Sequence, residues 1–177
     1  LELSKLDSGL VSLQLRDADL RSVVEDAVEH AEPMAQRKGV TLRAILPAEP
    51  IVQAHDPPRL GQVLSNLVGN AIKFTPAGGH VEVSVEATES GAVFEVKDDG
   101  VGIDADELPH VFDRFYRGTR TPEERAAGSG LGLAIAHSIV DMHRGRVSIS
   151  SRPGAGTEVL VRLPRDVSLS SPSDAQS

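Results

Sequence analysis

The chain has 177 residues, 40% hydrophobic and 25% charged, with a formal net charge of -8 and no cysteine. That length suits one main domain with short extensions, in an ordinary soluble globular composition. The acidic balance, without a basic stripe, argues against nucleic acid or an anionic membrane as partner, and the missing cysteines exclude disulfide and thiol chemistry.

Residues 1–18 read as an amphipathic lead-in with Leu1, Leu3, Leu6, Leu10, Leu13 and Leu15 as apolar positions, its helical part stopping near Gly9. A second helix starts with Asp19 as N-cap. It carries Leu20, Val23, Val24, Ala27, Ala31 and Ala35 on one stripe to Gly39, with a kink expected at Pro33. Val40 to Leu46 and Ile51 to Ala54 read as strands either side of a Pro-rich turn. Asp56 followed by Pro57 predicts a helix start, and Leu60, Val63, Leu64, Leu67 and Ala71 give its buried stripe as far as Phe74. Val81 to Ala87 and Ala92 to Lys97 alternate apolar and polar residues around a turn at Glu89 to Gly91, an antiparallel hairpin.

A polar Gly- and Arg-containing segment covers roughly 99–128, followed by a helix from Gly130 to about His143. That apolar run is interrupted by glycines and His137 and is too short to span a bilayer. Two strands, 146–151 and 157–163, flank the turn Pro153-Gly154-Ala155-Gly156, and the tail from Asp166 to Ser177 is Ser-rich and expected to be disordered. Hairpins dominate over crossovers. The expected fold is therefore α+β: a two-layer α/β sandwich in which helices cover one face of a mixed, mostly antiparallel sheet. With no Trp, one Tyr and four Phe, its core has to be Leu, Val, Ile and Ala.

Four clusters carry candidate chemistry. Asn66, Asn70 and Lys73 share a helix face at spacings of four and three. They form either a solvated ridge or a place where amide oxygens meet a hard cation and an ammonium meets phosphate. Asp98-Asp99-Gly100-Val101-Gly102-Ile103 follows a strand. It is either a plain turn or a close-approach loop whose first carboxylate accepts from a buried donor such as an adenine amine. Gly128-Ser129-Gly130-Leu131-Gly132-Leu133 opens a helix and is either a soft hinge or a set of free amides for phosphate oxygens; its spacing fits neither a Rossmann nor a Walker A loop. Phe112-Asp113-Arg114-Phe115-Tyr116-Arg117, with Arg120 and Arg125 beyond it, reads as a short helix or as an aromatic anchor for a lid with guanidiniums near a triphosphate. Arg120 and Arg125 fit better as solvated arginines. His30, His55, His80, His110, His137 and His143 show no metal-ligand spacing, and Asp17 and Asp19 read as helix-start residues.

Together, in this order, the four clusters resemble the N, G1, F and G2 boxes of the GHKL ATPase/kinase superfamily: Asn66 to Thr75, Asp98 to Ile103, Phe112 to Arg117 and Gly128 to Leu133. The turn ending in Gly156-Thr157 is similar to the family's closing Gly-x-Gly-Thr. The likeness covers roughly 19–164 and is nearest to sensor histidine kinases, since Leu3 to Gly9 resembles the end of their dimerisation helices. Gly69 stands where hydrolytic members usually carry an acidic base.

The resemblance implies a Bergerat-type sandwich holding Mg-ATP. Asn70 would coordinate Mg2+ with Asn66 assisting, Lys73 would contact a phosphate, Phe74 would lie against the base and Asp98 would bind the adenine amine. Gly100, Gly102, Gly130 and Gly132 would shape the pocket, Leu131 and Leu133 anchor the lid, Arg117 reach a phosphate, and Ile103 and Thr157 complete the site. It further implies a protein-histidine kinase domain, transferring the γ-phosphoryl group to a His on a separate dimerisation domain for relay to a response regulator. No His here carries the family's phosphoacceptor pattern. The chain is thus expected to be the catalytic part of a longer cytoplasmic, membrane-anchored kinase: residues 1–18 a remnant of dimerisation helix and linker, 19–164 the catalytic domain, 165–177 a tail. The isolated domain is expected to be monomeric, with no nucleic-acid partner. A GHKL ATPase, an anti-sigma-type serine kinase and a nucleotide-binding regulatory module stay open as alternatives.

Overall fold

The computed structural model describes residues 2–118 and 130–166. Helix α1 (Glu2–Asp7) leads into strand β1 (Arg16–Asp19), helix α2 (Leu20–Lys38) and strand β2 (Thr41–Ile45). Strand β3 (Val52–His55), helix α3 (Pro57–Lys73) and the hairpin β4 (His80–Ala87) and β5 (Gly91–Asp98) come next. A 3-10 turn at Leu108–His110 precedes helix α4 (Gly132–Met142) and the closing hairpin β6 (Arg146–Arg152) and β7 (Gly156–Pro164).

The helix boundaries have local causes. Asp19 has an extended backbone and its carboxylate accepts the Arg21 N–H at 3.0 Å. Gly39 ends α2 at φ 77°, its N–H bonded to Gln36 O. Asp56 caps α3 by accepting from Arg59 N at 3.2 Å, with Pro57 in the first turn, where a missing N–H does no harm. Pro33 lies within α2 without ending it.

One sheet has the order β2-β4-β5-β7-β6; β2 runs parallel to β4, and the remaining pairs are antiparallel. Period-two alternation puts Val81, Val83 and Val85 of β4, Ala92, Phe94 and Val96 of β5, and Val159, Val161 and Leu163 of β7 on the buried face. The pairs Val83↔Val96, Phe94↔Val161 and Val96↔Val159 stack these side chains across strands. Helices α2, α3 and α4 cover that face, so the two-layer sandwich is the observed fold. The core is aliphatic, with Phe94 as its one fully buried aromatic side chain among the described residues.

The lead-in is more ordered than its sequence implies. β1 pairs antiparallel with β3 in a separate ribbon, Arg16 opposite His55 and Asp19 opposite Val52. The strands around the Pro-rich turn, β2 and β3, thus lie in different sheets. Leu3 and Leu6 of α1 are buried, α1 packs on α4, Glu2 pairs with Arg59 at 2.9 Å and Asp7 pairs with Arg114. No helix among the described residues is long and apolar enough to cross a membrane. The tail from 167 onward lies outside the described residues.

Candidate functional site

Helix α3 buries Leu60, Val63, Leu64, Leu67, Val68, Ala71 and Ile72. Asn70 and Lys73 sit half-buried at the edge of that stripe and line a cavity of about 640 Å³ between α3, the sheet edge and the start of α4. The Lys73 ammonium lies 5.1 Å from the ring centroid of Phe74, which also lines the cavity. Asn66 does not itself line the cavity: its Nδ2 donates to Gly132 O at 3.0 Å, tying α3 to the first turn of α4.

Across the cavity, Asp98 ends β5, with Thr157 of β7 as its cross-strand partner. Its Oδ1 accepts the Gly100 N–H at 2.9 Å. The loop that follows is held on both sides. Val101 N donates to Phe74 O at 3.2 Å, Gly154 N donates to Val101 O at 2.8 Å, and Ile103 N donates to Ser151 Oγ at 2.8 Å. Gly102 has φ 72°, and a Cβ there would collide with the Arg152 carbonyl. Gly100 likewise lies against the Phe74 carbonyl. Consequently Asp98 and the last turn of α3 are joined through backbone, and their separation does not depend on side-chain packing alone.

The third wall runs from Ile103 through Glu107 and Val111 to Tyr116, Arg117 and Gly118. Glu107 is buried; desolvation, and after it the Glu107 carboxylate, raises the Tyr116 hydroxyl above its usual range. Phe112 meets His137 of α4 at 5.4 Å between ring centroids, whereas Phe115 is 69% exposed. Phe112 and Tyr116, the latter against His110 at 5.8 Å, are thus the aromatics of this segment with ring contacts. Phe115 N donates to Gly130 O at 2.9 Å, and a Cβ on Gly130 would strike the Phe115 backbone. This close approach brings the two flanks of the segment 119–129 together. Arg120, Arg125, Gly128 and Ser129 fall within that segment, outside the described residues.

Gly130, Gly132, Leu133 and Thr157 complete the lining, whereas Asn66, Gly100 and Leu131 are not part of it. The floor is apolar, from Leu67, Ile72, Val96, Val111, Ile149 and Val159, and the named polar groups sit around it. Met34, Lys38 and Glu107 also line the cavity, and the sequence motifs do not single them out. Lys38 carries the one legible signal, a cation in the last turn of a helix. Among the described residues no group of three or more His, Cys, Asp or Glu side chains is placed to hold a metal ion.

Residues 55–167 match the family described as histidine kinase-, DNA gyrase B-, and HSP90-like ATPase. The chain is 38% identical to histidine protein kinase DivJ of Caulobacter vibrioides over 164 residues, covering 93% of the chain and 27% of DivJ. It is 37% identical to signal transduction histidine-protein kinase AfsQ2 of Streptomyces coelicolor over 173 residues, 95% of the chain and 30% of AfsQ2. Among solved structures, full-length ShkA in complex with AMPPNP superposes with a TM-score of 0.81 at 29% identity, covering 92% of this chain and 34% of that one. The chain thus spans about a third or less of the length of these proteins. The chain belongs to the histidine kinase-, DNA gyrase B- and HSP90-like ATPase family, and within it to the ATP-binding catalytic domains of sensor histidine kinases.

Proposed function

We propose that this cavity holds Mg-ATP and presents its γ-phosphoryl group to a His on a separate pair of dimerisation helices, for relay to a response regulator. The observation that carries the reading is the shared cavity itself: Asp98 on one side, Asn70 and Lys73 on the other, over an apolar floor. A carboxylate ending a strand is suited to accept from the exocyclic amine of a purine. The aliphatic floor and Phe74 suit the faces of the base. Asn70 offers an amide oxygen to the metal and Lys73 a point charge to a phosphate. Magnesium is held mainly by water and substrate phosphates with few protein groups, so a single amide such as that of Asn70 suffices on the protein side.

When bound, magnesium neutralises charge on the phosphate oxygens during transfer. The chain's own part is to orient and to exclude water: Asp98 sets the depth of the base, Lys73 and Arg117 hold the phosphate tail, and Tyr116 and Gly118 border the mouth. Asn66, held by Gly132 O, joins α3 to α4 and supports Asn70 from behind. Residues 1–18 are assigned to the end of a dimerisation helix and its linker, 19–164 to the catalytic domain. Gly69, in place of an acidic base, favours a kinase over a hydrolytic member.

Calorimetry with a non-hydrolysable ATP analogue tests the reading: binding is expected with magnesium and is expected to weaken when magnesium is chelated. Absence of binding in both conditions would refute the site. Adding a phosphoacceptor helix pair with labelled ATP is expected to give phosphohistidine on the added helices and no label on this chain.

A further inference from the structure

The C-terminal end of α3 has an electrostatic difficulty. Asn70 and Lys73 lie in its last turn, where the unsatisfied carbonyls make the helix end about half a unit negative. An anionic phosphate tail placed there is repelled by the helix that is meant to hold it. The structure shows how those carbonyls are occupied. Asn70 O accepts from Phe74 N at 3.0 Å, Ala71 O from Thr75 Oγ1 at 2.7 Å, and Phe74 O from Val101 N at 3.2 Å. Ile72 O accepts the Thr75 N–H at 3.3 Å and also the ammonium of Lys38 at 2.8 Å, and the same ammonium donates to Lys73 O. Lys38 is the last residue of α2 and itself lines the cavity. Lys38 thus brings a full positive charge onto the last two carbonyls of α3.

We propose that Lys38 is a positioning residue for the phosphate end of the site: it cancels the negative end of α3 and fixes the last turn that carries Asn70, Lys73 and Phe74. This role rests on the Mg-ATP reading above. A purely structural cap acts on every ligand alike; a charge at the helix end acts in proportion to the charge of the ligand.

The test compares Lys38→Gln, which keeps a donor and removes the charge, with Lys38→Arg, which keeps both. Affinities for adenosine, Mg-ADP and a magnesium-bound ATP analogue are measured for each, alongside the thermal midpoint. The expected result for Lys38→Gln is unchanged adenosine affinity, a smaller loss for Mg-ADP and about a tenfold loss for the ATP analogue, a size typical of a well-placed helix-end charge. Lys38→Arg is expected to restore most of it. Equal losses for all three ligands, or no loss for any, would overturn the role of Lys38. If Lys38→Gln does not fold, a Lys38→Arg chain that folds but shows the graded loss would overturn it too. Failure of the unsubstituted chain to bind any of the three overturns the Mg-ATP reading itself, and the role of Lys38 with it.

Discussion

The buried ring of His143, just beyond α4, accepts the backbone N–H of Asp56, the cap of α3, at 3.1 Å. Because an N–H can only donate, Nε2 of His143 carries no proton, and Nδ1 donates to Ile139 O at 2.9 Å. Nearby, His55 is also fully buried; its Nδ1 donates to Gln53 O at 2.8 Å, and its Nε2 has no hydrogen-bond partner among the described residues. Both rings are held neutral.

An acid sensitivity follows from this pair. Burial lowers the pKa of His55 and of His143 below the ordinary 6.5, against smaller raising influences from the hydrogen bonds to Gln53 O and Ile139 O and from Asp56. An unfolded chain therefore takes up these protons first as pH falls. The stabilisation is complete above 6.5 and is lost as pH drops below it towards the folded-state values. The urea midpoint is expected to fall between about pH 7.5 and about pH 5, and less steeply in a His55→Gln chain. A midpoint flat over that range contradicts this.

Asp98→Asn replaces one acceptor oxygen by a donor at the place where the purine amine is proposed to lie. The expected loss of nucleotide affinity is about 2 kcal/mol or more, with the circular dichroism spectrum unchanged. Retained affinity removes Asp98 from the site.

Asn70→Asp places a carboxylate where the phosphate tail is proposed to lie. Binding of an ATP analogue is expected to become undetectable, again with an unchanged spectrum. Because Asn70 is only half-buried, folding should not suffer, and a chain that binds as before assigns the phosphate tail elsewhere.

Gly102→Ala meets both a positive φ of 72° and the Arg152 carbonyl. A destabilisation of about 2 kcal/mol is expected in chemical denaturation, with weaker nucleotide binding because the Asp98 loop must shift. An unchanged denaturation midpoint would show that the loop relaxes without strain.

Asp19→Ala removes the cap of α2, and with it the acceptor for Ile51 N–H at 3.1 Å. Hydrogen bonds from Arg21 hold the Asp19 carboxyl below its ordinary range. A loss of about 1 kcal/mol is expected from the cap alone. Thermal unfolding of the pair of chains measures it.

Much of the architecture was readable one residue at a time. Asp19, Asp56 and Gly39 mark helix ends through interactions spanning three or four residues, and alternation along β4, β5 and β7 assigns the buried face. The four motif clusters were legible because each depends on neighbours in the chain. What escaped was contact between distant segments. Arg16 to Asp19 carry no strand pattern of their own and become a strand because Val52 to His55 lie opposite. Asn66 shares a helix face with Asn70, yet its amide is engaged by Gly132 of another helix, and only Asn70 lines the cavity. Glu107 looks like any loop carboxylate until the fold buries it beside Tyr116.

Taken alone, the sequence determined the helices, the hairpins, the aliphatic core and the kinds of chemical group available, since periodicity and capping act over a turn or two. Only the tertiary structure decided which of those groups share a cavity and which stand behind it. Placing Lys38 on the carbonyls of Ile72 and Lys73, or Asp98 opposite Asn70, requires two helices and a sheet edge to be packed first, and no local rule carries that information.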